Sequence, residues 1–277
     1  MDRSFFPFSY DRMFCTAMAL NTDIAKEVLE TILDIKIDHV ECVNAQKILN
    51  YTFDEKYVRL DVYLRDGSGI SYDLEMETTG SRSRLKLLPI RSRLYGSMLD
   101  TEEYPEGTDY QNIRGMYVIW ICLNDSFGYG LAKYTVKPVC IENHNVPADT
   151  GVTHIYLNCN PTICNVSDEL MGLLSYIQDR HNCETALVQR IDQLVVKINQ
   201  DKDWRNWVMT LERKLNDERM FSRIEGREEG REEGREERET ELIESMVRHG
   251  LDDTLIVSIA KNVAPERVAM IRRQITA

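Results

Sequence analysis

Between residues 58 and 77 the chain places acids where they could hold a divalent cation: Asp61 ahead of a turn, Glu75 and Glu77 behind it. Val58, Leu60, Val62 and Leu64 alternate with Arg59, Asp61, Tyr63 and Arg65, and after the turn Tyr72, Leu74 and Met76 alternate with Asp73, Glu75 and Glu77. Alternation with period two predicts strands with one apolar and one polar face. Asp66-Gly67-Ser68-Gly69 supplies the turn, since glycine tolerates the positive φ that hairpin loops need. If the loop is residues 67 to 69, position 66 pairs with 70, Asp61 lies opposite Glu75, and Glu77 follows on the same face. Facing residues of an antiparallel pair have Cβ atoms about 5 Å apart. Carboxylates that close repel unless a cation lies between them, and an all-oxygen ligand set suits Mg²⁺ or Mn²⁺. The expectation is a metal site on the polar face of a hairpin. A merely solvated acidic face is the alternative.

The next segment has the opposite charge. From Thr78 to Leu99 there is no acid, but Arg82, Arg84, Lys86, Arg91 and Arg93 all occur, in a chain of formal net charge -12. Metal-assisted phosphodiester cleavage needs both halves. Carboxylates hold the ion that polarises the phosphate and activates water, and arginines neutralise and position flanking phosphates. A solvated helix face is the competing reading of these five cations.

With those residues in place the chain resembles a known family. Asp61, then Tyr72-Asp-Leu-Glu75-Met-Glu77-Thr-Thr, then Arg91-Ser-Arg-Leu-Tyr95-Gly-Ser-Met-Leu-Asp100 look like the core of the PD-(D/E)XK nuclease-like transposases, the bacterial recombination-promoting nuclease (Rpn) group. Tyr117 to Gly128 resembles that group's hydrophobic strand and following loop, Leu131 to Cys140 its next strand, and Ile155-Tyr-Leu-Asn158 its short late strand. The Gly-Arg-Glu-Glu repeats near the C-terminus are similar to it as well, so the likeness runs from about residue 5 to 245. It implies an α/β fold with a central mixed β-sheet flanked by helices, and Mg²⁺-dependent (or Mn²⁺-dependent) DNA endonuclease chemistry. Asp61 matches the motif's first acid and Glu75 its second, both metal ligands. The third position is usually Lys in the superfamily and commonly Gln in this group; here it is Glu77. Glu77 then either assists as a ligand or general base, or marks a weakened or inactive relative that keeps the fold to bind DNA or protein. The first helix of such folds sometimes supplies one more acid. Asp11 and Glu27 are the candidates, both left out of the expected site because acids on exposed helix faces are common.

These residues must be carried by ordinary elements. Apolar spacing from Asp11 to Leu33 predicts two short helices joined near Asn21-Thr22-Asp23, with Thr22 or Asp23 as cap. Residues 36 to 50 suggest a strand. The basic segment reads as a helix that begins near Leu88, since Pro89 suits a first turn and breaks an interior. Strands are expected over 114–123, 129–141 and 152–158, and helices over 167–180 and 184–222. Trp204 and Trp207, three apart, read as packing aromatics.

Hydrophobic content of 43% and charged content of 29% fit a globular chain. No apolar run approaches the ~20 residues that cross a bilayer. Seven cysteines without Cys-x-x-Cys spacing argue for free thiols in a reducing, cytoplasmic setting. Five scattered histidines give little support for zinc. The expected organisation is a nuclease-like domain over 1–222, a Gly-Arg-Glu-Glu linker or helix over 223–241, and a small helical unit over 242–277. In the repeat, Gly226, Gly230 and Gly234 each weaken a helix by about 1 kcal/mol. A solvated connector is the favoured reading, and a homodimer contact through the C-terminal helices is the other. Arg267, Arg272 and Arg273 could meet phosphate, although a protein contact serves as well.

Overall fold

The computed structural model describes residues 5–276 apart from 46–47, 51–56, 147, 180, 182–183 and 261–262. In chain order the elements are α1 (Asp11–Leu20), α2 (Thr22–Leu33), β1 (Val40–Ala45), β2 (Ile48–Asn50), β3 (Tyr57–Arg59), β4 (Val62–Asp66), β5 (Ser71–Glu77), α3 (Arg82–Leu85), α4 (Leu88–Glu103), β6 (Met116–Cys122), β7 (Lys133–Val136), β8 (Val152–Asn158), α5 (Asp168–Gln178), α6 (Ala186–Gln200), α7 (Lys202–Arg248), α8 (Asp253–Ile259) and α9 (Pro265–Thr276). Contacts divide the chain into two units, residues 1–205 and 206–277.

The first unit is built on a mixed sheet of order β1-β4-β5-β6-β8-β7. The hairpin of β4 and β5 has the expected register, with Val62 opposite Leu74, Tyr63 opposite Asp73 and Leu64 opposite Tyr72. Asp66 N–H donates to the Ile70 carbonyl and Gly69 N–H to the Asp66 carbonyl, closing the loop over residues 67 to 69. Asp66 itself fixes this loop. Its Oδ1 accepts from the N–H groups of Ser68 and Ile70, each at 2.9 Å, and its Oδ2 from the Tyr72 hydroxyl. Beyond β5 the sheet turns parallel: β5 pairs with β6 and β6 with β8, while β7 closes the edge antiparallel to β8.

The hairpin differs from expectation in two respects. Its first arm begins at Val62; Tyr57–Arg59 pairs with β2 in a separate two-stranded ladder, and the backbone bends at Asp61 between the two sheets. The side chain of Val58 lies outside the described residues. Its polar face is also not a solvated edge. β5 runs between β4 and β6 with all seven residues buried. The face that carries Tyr63, Val118 and Trp120 is covered by Leu85, Leu88, Tyr95, Met98 and Leu99 from α3 and α4. The parallel neighbour β6 supplies the reason, because a β5–α4–β6 crossover lays its helix on the sheet.

α1 packs on β1 and β4 and α2 on β1, while α6 lies against α1 and α2, and α5 against α2 and α6. Asn21, rather than Thr22 or Asp23, caps α2 by accepting from Ile24 N–H. The helix expected over 184–222 is two helices. Asp201 leaves the helical region at the end of α6, and its Oδ1 accepts from the N–H groups of Asp203 and Trp204 to start α7. Trp204 packs edge-on to Phe6 and donates through Nε1 to Thr16 Oγ1 at 3.0 Å, while Trp207 is half exposed. The strand expected over 129–141 is shortened to β7.

In the second unit, Ile243, Val247, Ile256, Val263, Val268 and Ile271 form a small core among the end of α7, α8 and α9. Gly250, with φ of 81°, ends α7 as expected of a C-cap glycine. Residues 223–241 are helical throughout and exposed for most of their length. Helix already nucleated on both sides lets the glycine-containing repeat propagate rather than nucleate, and Arg235–Glu232 adds a surface pair. Arg267 and Arg272 face Glu239 and Asp253 and tie this unit together. Among the described residues no helix is long and apolar enough to cross a membrane.

Candidate metal centre

The register of β5 places three acids on the α4-covered face. Asp73 stands between Tyr63 and Val118, Glu75 beside Trp120, and Glu77 beside Cys122. Each therefore sits among apolar side chains. Asp73 is wholly buried, and neither of its oxygens meets a fixed donor. Its polar neighbour is the Glu75 carboxyl, and two anions cannot share that space without a proton or a cation. Burial first, then Asp73 and Asp61, holds the Glu75 carboxyl well above the usual carboxylate range. Burial does the same to Asp73.

Asp61 reaches this group from the bend before β4. Its N–H donates to Glu75 Oε1 at 2.8 Å, and its Oδ2 accepts from Met76 N–H at 2.9 Å. The two acids thus lock the end of the hairpin crosswise, each through the other strand's neighbourhood. Burial, and after it the nearby Asp11 carboxylate, push the Asp61 carboxyl up to about 7.

Asp11 comes from the first turn of α1. With Cys15 one helical turn on, it forms a group in which one ligand atom each of Asp11, Cys15 and Asp61 lie within 4.8 Å of one another. Arg59 Nη2 donates to Asp11 Oδ2 at 2.8 Å and the Cys15 thiol to Oδ1 at 3.5 Å. Among the described residues this is the group whose spacing could hold an ion, and it contains one of the two expected ligands, Asp61. Glu27, the other helix acid considered, pairs with Arg190. Asp61 and Asp11 offer hard oxygen with the Cys15 thiol beside them, and Glu75, tied to Asp61 through its backbone N–H, stands outside that group. Carboxyls with raised affinity for protons, as at Asp61 and Glu75, are chemically suited to a divalent cation in the proton's place.

Glu77 is differently engaged. Its Oε1 accepts from Thr79 N–H at 3.0 Å and its Oε2 from Arg91 Nη1 at 2.7 Å. Arg91 also donates through Nη2 to the Tyr95 hydroxyl at 3.1 Å and lies 4.5 Å from the centre of the Trp120 ring. Burial alone would lower its pKa, but Tyr95 and Glu77 outweigh this and leave it raised.

The remaining cations of the basic segment do not form one strip. Arg82, Arg84, Lys86 and Arg93 are exposed. Arg82 and Lys86 line a cavity of about 230 Å³ with Asn124, Ser126 and Phe127 from the loop after β6. That loop is tied to the acids' strand, since Leu123 N–H donates to the Glu77 carbonyl and Asn124 Nδ2 to the Thr79 carbonyl. Arg93 lines a different cavity with Lys137 and His154.

A mixed α/β sheet with acids gathered around its central strand is the class of protein on view. Residues 5–160, more than half of the chain, match the PD-(D/E)XK nuclease family transposases, and the chain belongs to that family. No curated protein and no solved structure gives a significant match.

Proposed function

We propose that this chain is a Mg²⁺- or Mn²⁺-dependent DNA endonuclease that hydrolyses phosphodiester bonds. The observation that carries the reading is the Asp61–Glu75 lock within a chain of this nuclease family, with Asp11 facing Asp61. Asp61 and Glu75, joined by Asp11, would hold the ion. When bound, the ion supplies charge to polarise the phosphate and to lower the pKa of attacking water. The protein's own contribution is positional: α4 and the apolar face of β6 keep bulk water from the acids, and the Met76 N–H fixes one oxygen of Asp61. Arg82, Arg84, Lys86 and Arg93 are the proposed contacts to flanking phosphates, which would let DNA dock on a protein of net charge -12. Cytoplasmic residence, a role in transposition or recombination, and self-association through the C-terminal helices belong to the same proposal.

Plasmid nicking tests it. With Mg²⁺ or Mn²⁺ the purified chain converts supercoiled to open-circular DNA, and Glu75→Ala and Asp61→Ala each abolish this. Nicking that survives both substitutions would sink the reading.

One observation favours a second reading, a non-catalytic relative. Glu75 is 3% exposed and already accepts from Asp61 N–H, so a ligand oxygen is spent inside the protein. That reading expects DNA binding indifferent to metal chelation and to Glu75→Ala.

A further inference from the structure

The hydrolysis proposed above builds negative charge. Water adds to phosphorus, the bond to one ester oxygen breaks, and that oxygen takes a proton to leave as an alcohol beside a phosphate monoester. Groups aimed at such developing charge account for much of an enzyme's rate. The residue at the third motif position is an acid here, so it adds charge of the wrong sign. Both its oxygens are also occupied, by Thr79 N–H and by Arg91.

Resting on the endonuclease reading, we infer that Arg91 is the site's phosphate-facing cation and that Glu77 is the residue that positions it. Three contacts fix the guanidinium: Glu77 Oε2, the Tyr95 hydroxyl and the face of Trp120. Trp120 is the ladder partner of Glu75, so the same contacts set the charge over the proposed metal ligand's neighbour. A guanidinium has five N–H donors, and two of these contacts use one donor each. The Arg91 side chain keeps a third of its surface exposed, so a phosphate can reach it. Arg82, Arg84, Lys86 and Arg93 have no such cradle; they are exposed, and among the described residues no carboxylate pairs with them. Geometry therefore separates one held arginine from four exposed surface cations. Glu77 earns its place by holding a cation, neither ligating metal nor accepting the water's proton.

The test is a charge relocation. Arg91→Met lowers kcat for nicking by about 100-fold, the scale of losing one aimed donor, with KM altered less than about threefold. Arg91→Lys recovers part of that loss. Glu77→Gln, which can still accept from Arg91, stays within about fivefold of wild type, while Glu77→Ala loses more. The double variant Glu77→Lys with Arg91→Met returns a cation from the strand and recovers at least about tenfold over Arg91→Met alone. The inference is overturned if Arg91→Met keeps its kcat, or if the double variant is no better than the single one. If the wild-type chain nicks nothing, the endonuclease reading has failed, and Arg91 is judged by duplex affinity in Ca²⁺. There Arg91→Met must weaken binding at least about tenfold; unchanged affinity overturns the role.

Discussion

Asp73 is the residue with most at stake. A carboxyl with no fixed donor, buried beside Glu75, is destabilising unless a proton or cation accompanies it. Asp61, Asp73 and Glu75 all have raised proton affinity. Between the ordinary carboxylate value near 4 and the folded values, about 7 for Asp61, the native state binds more protons than the unfolded chain. Stability therefore falls as pH rises through that window. His154, lowered by burial, acts with the opposite sign, so the comparison must be made with a variant. Without divalent ions, Tm of the wild-type chain falls between pH 5 and pH 8 more steeply than that of Asp73→Asn, and the variant is the more stable at pH 8. Equal slopes in near-ultraviolet circular dichroism melts would show that Asp73 carries no proton. Added Mn²⁺ raises the wild-type Tm at pH 8, by linkage. The pairing of Asp61 with Glu75 across the hairpin was legible in the sequence because a hairpin has simple register arithmetic. Asp11 was a candidate set aside and the Arg91–Glu77 pair was not seen, because each needs a helix to be laid on the sheet. Asp73 was visible as a member of the polar alternation, but alternation cannot tell a solvated face from one roofed by a helix.

At the level of elements, the loop of the β4–β5 hairpin sets everything that follows. Gly69 has φ of 86°, and a Cβ there would meet Arg114 Cγ at 3.3 Å. Gly67 has open space and no positive φ. Gly69→Ala should destabilise by about 1–3 kcal/mol, and Gly67→Ala by less than about 0.5 kcal/mol, measured by urea unfolding. Equal effects would mean that the loop is not held as described. The strands over 114–123 and 152–158 and the helix that starts near Leu88 followed from periodicity and proline. Two further features did not. The break at Asp201 depends on one side chain capping a new helix where the apolar spacing reads on without interruption. The bend at Asp61 depends on two ladders meeting, which period-two spacing from 58 to 65 conceals.

For the whole molecule, the balance of charge is the governing quantity. A chain of net charge -12 can approach DNA only through a local patch. Each phosphate contact contributes about 0.9 to the slope of log affinity against log salt concentration. Arg82→Ala with Lys86→Ala should flatten that slope by about 2 and weaken binding across sequences alike. An unchanged slope would place the DNA elsewhere. The C-terminal arginines should not contribute in this way, since Arg267 and Arg272 are committed to Glu239 and Asp253. Composition showed the net charge and the basic segment, but could not show that Arg91 is set apart from the rest of it by Glu77, Tyr95 and Trp120.

The contact between Arg91 and Trp120 also makes the molecule its own optical probe. The Trp120 indole is 1% exposed and its N–H has no acceptor, whereas Trp204 donates to a hydroxyl and Trp207 is half exposed. Trp120 should therefore emit at the blue edge of the protein's fluorescence. Any ligand that draws the guanidinium off its ring should alter that blue component and leave the red one untouched.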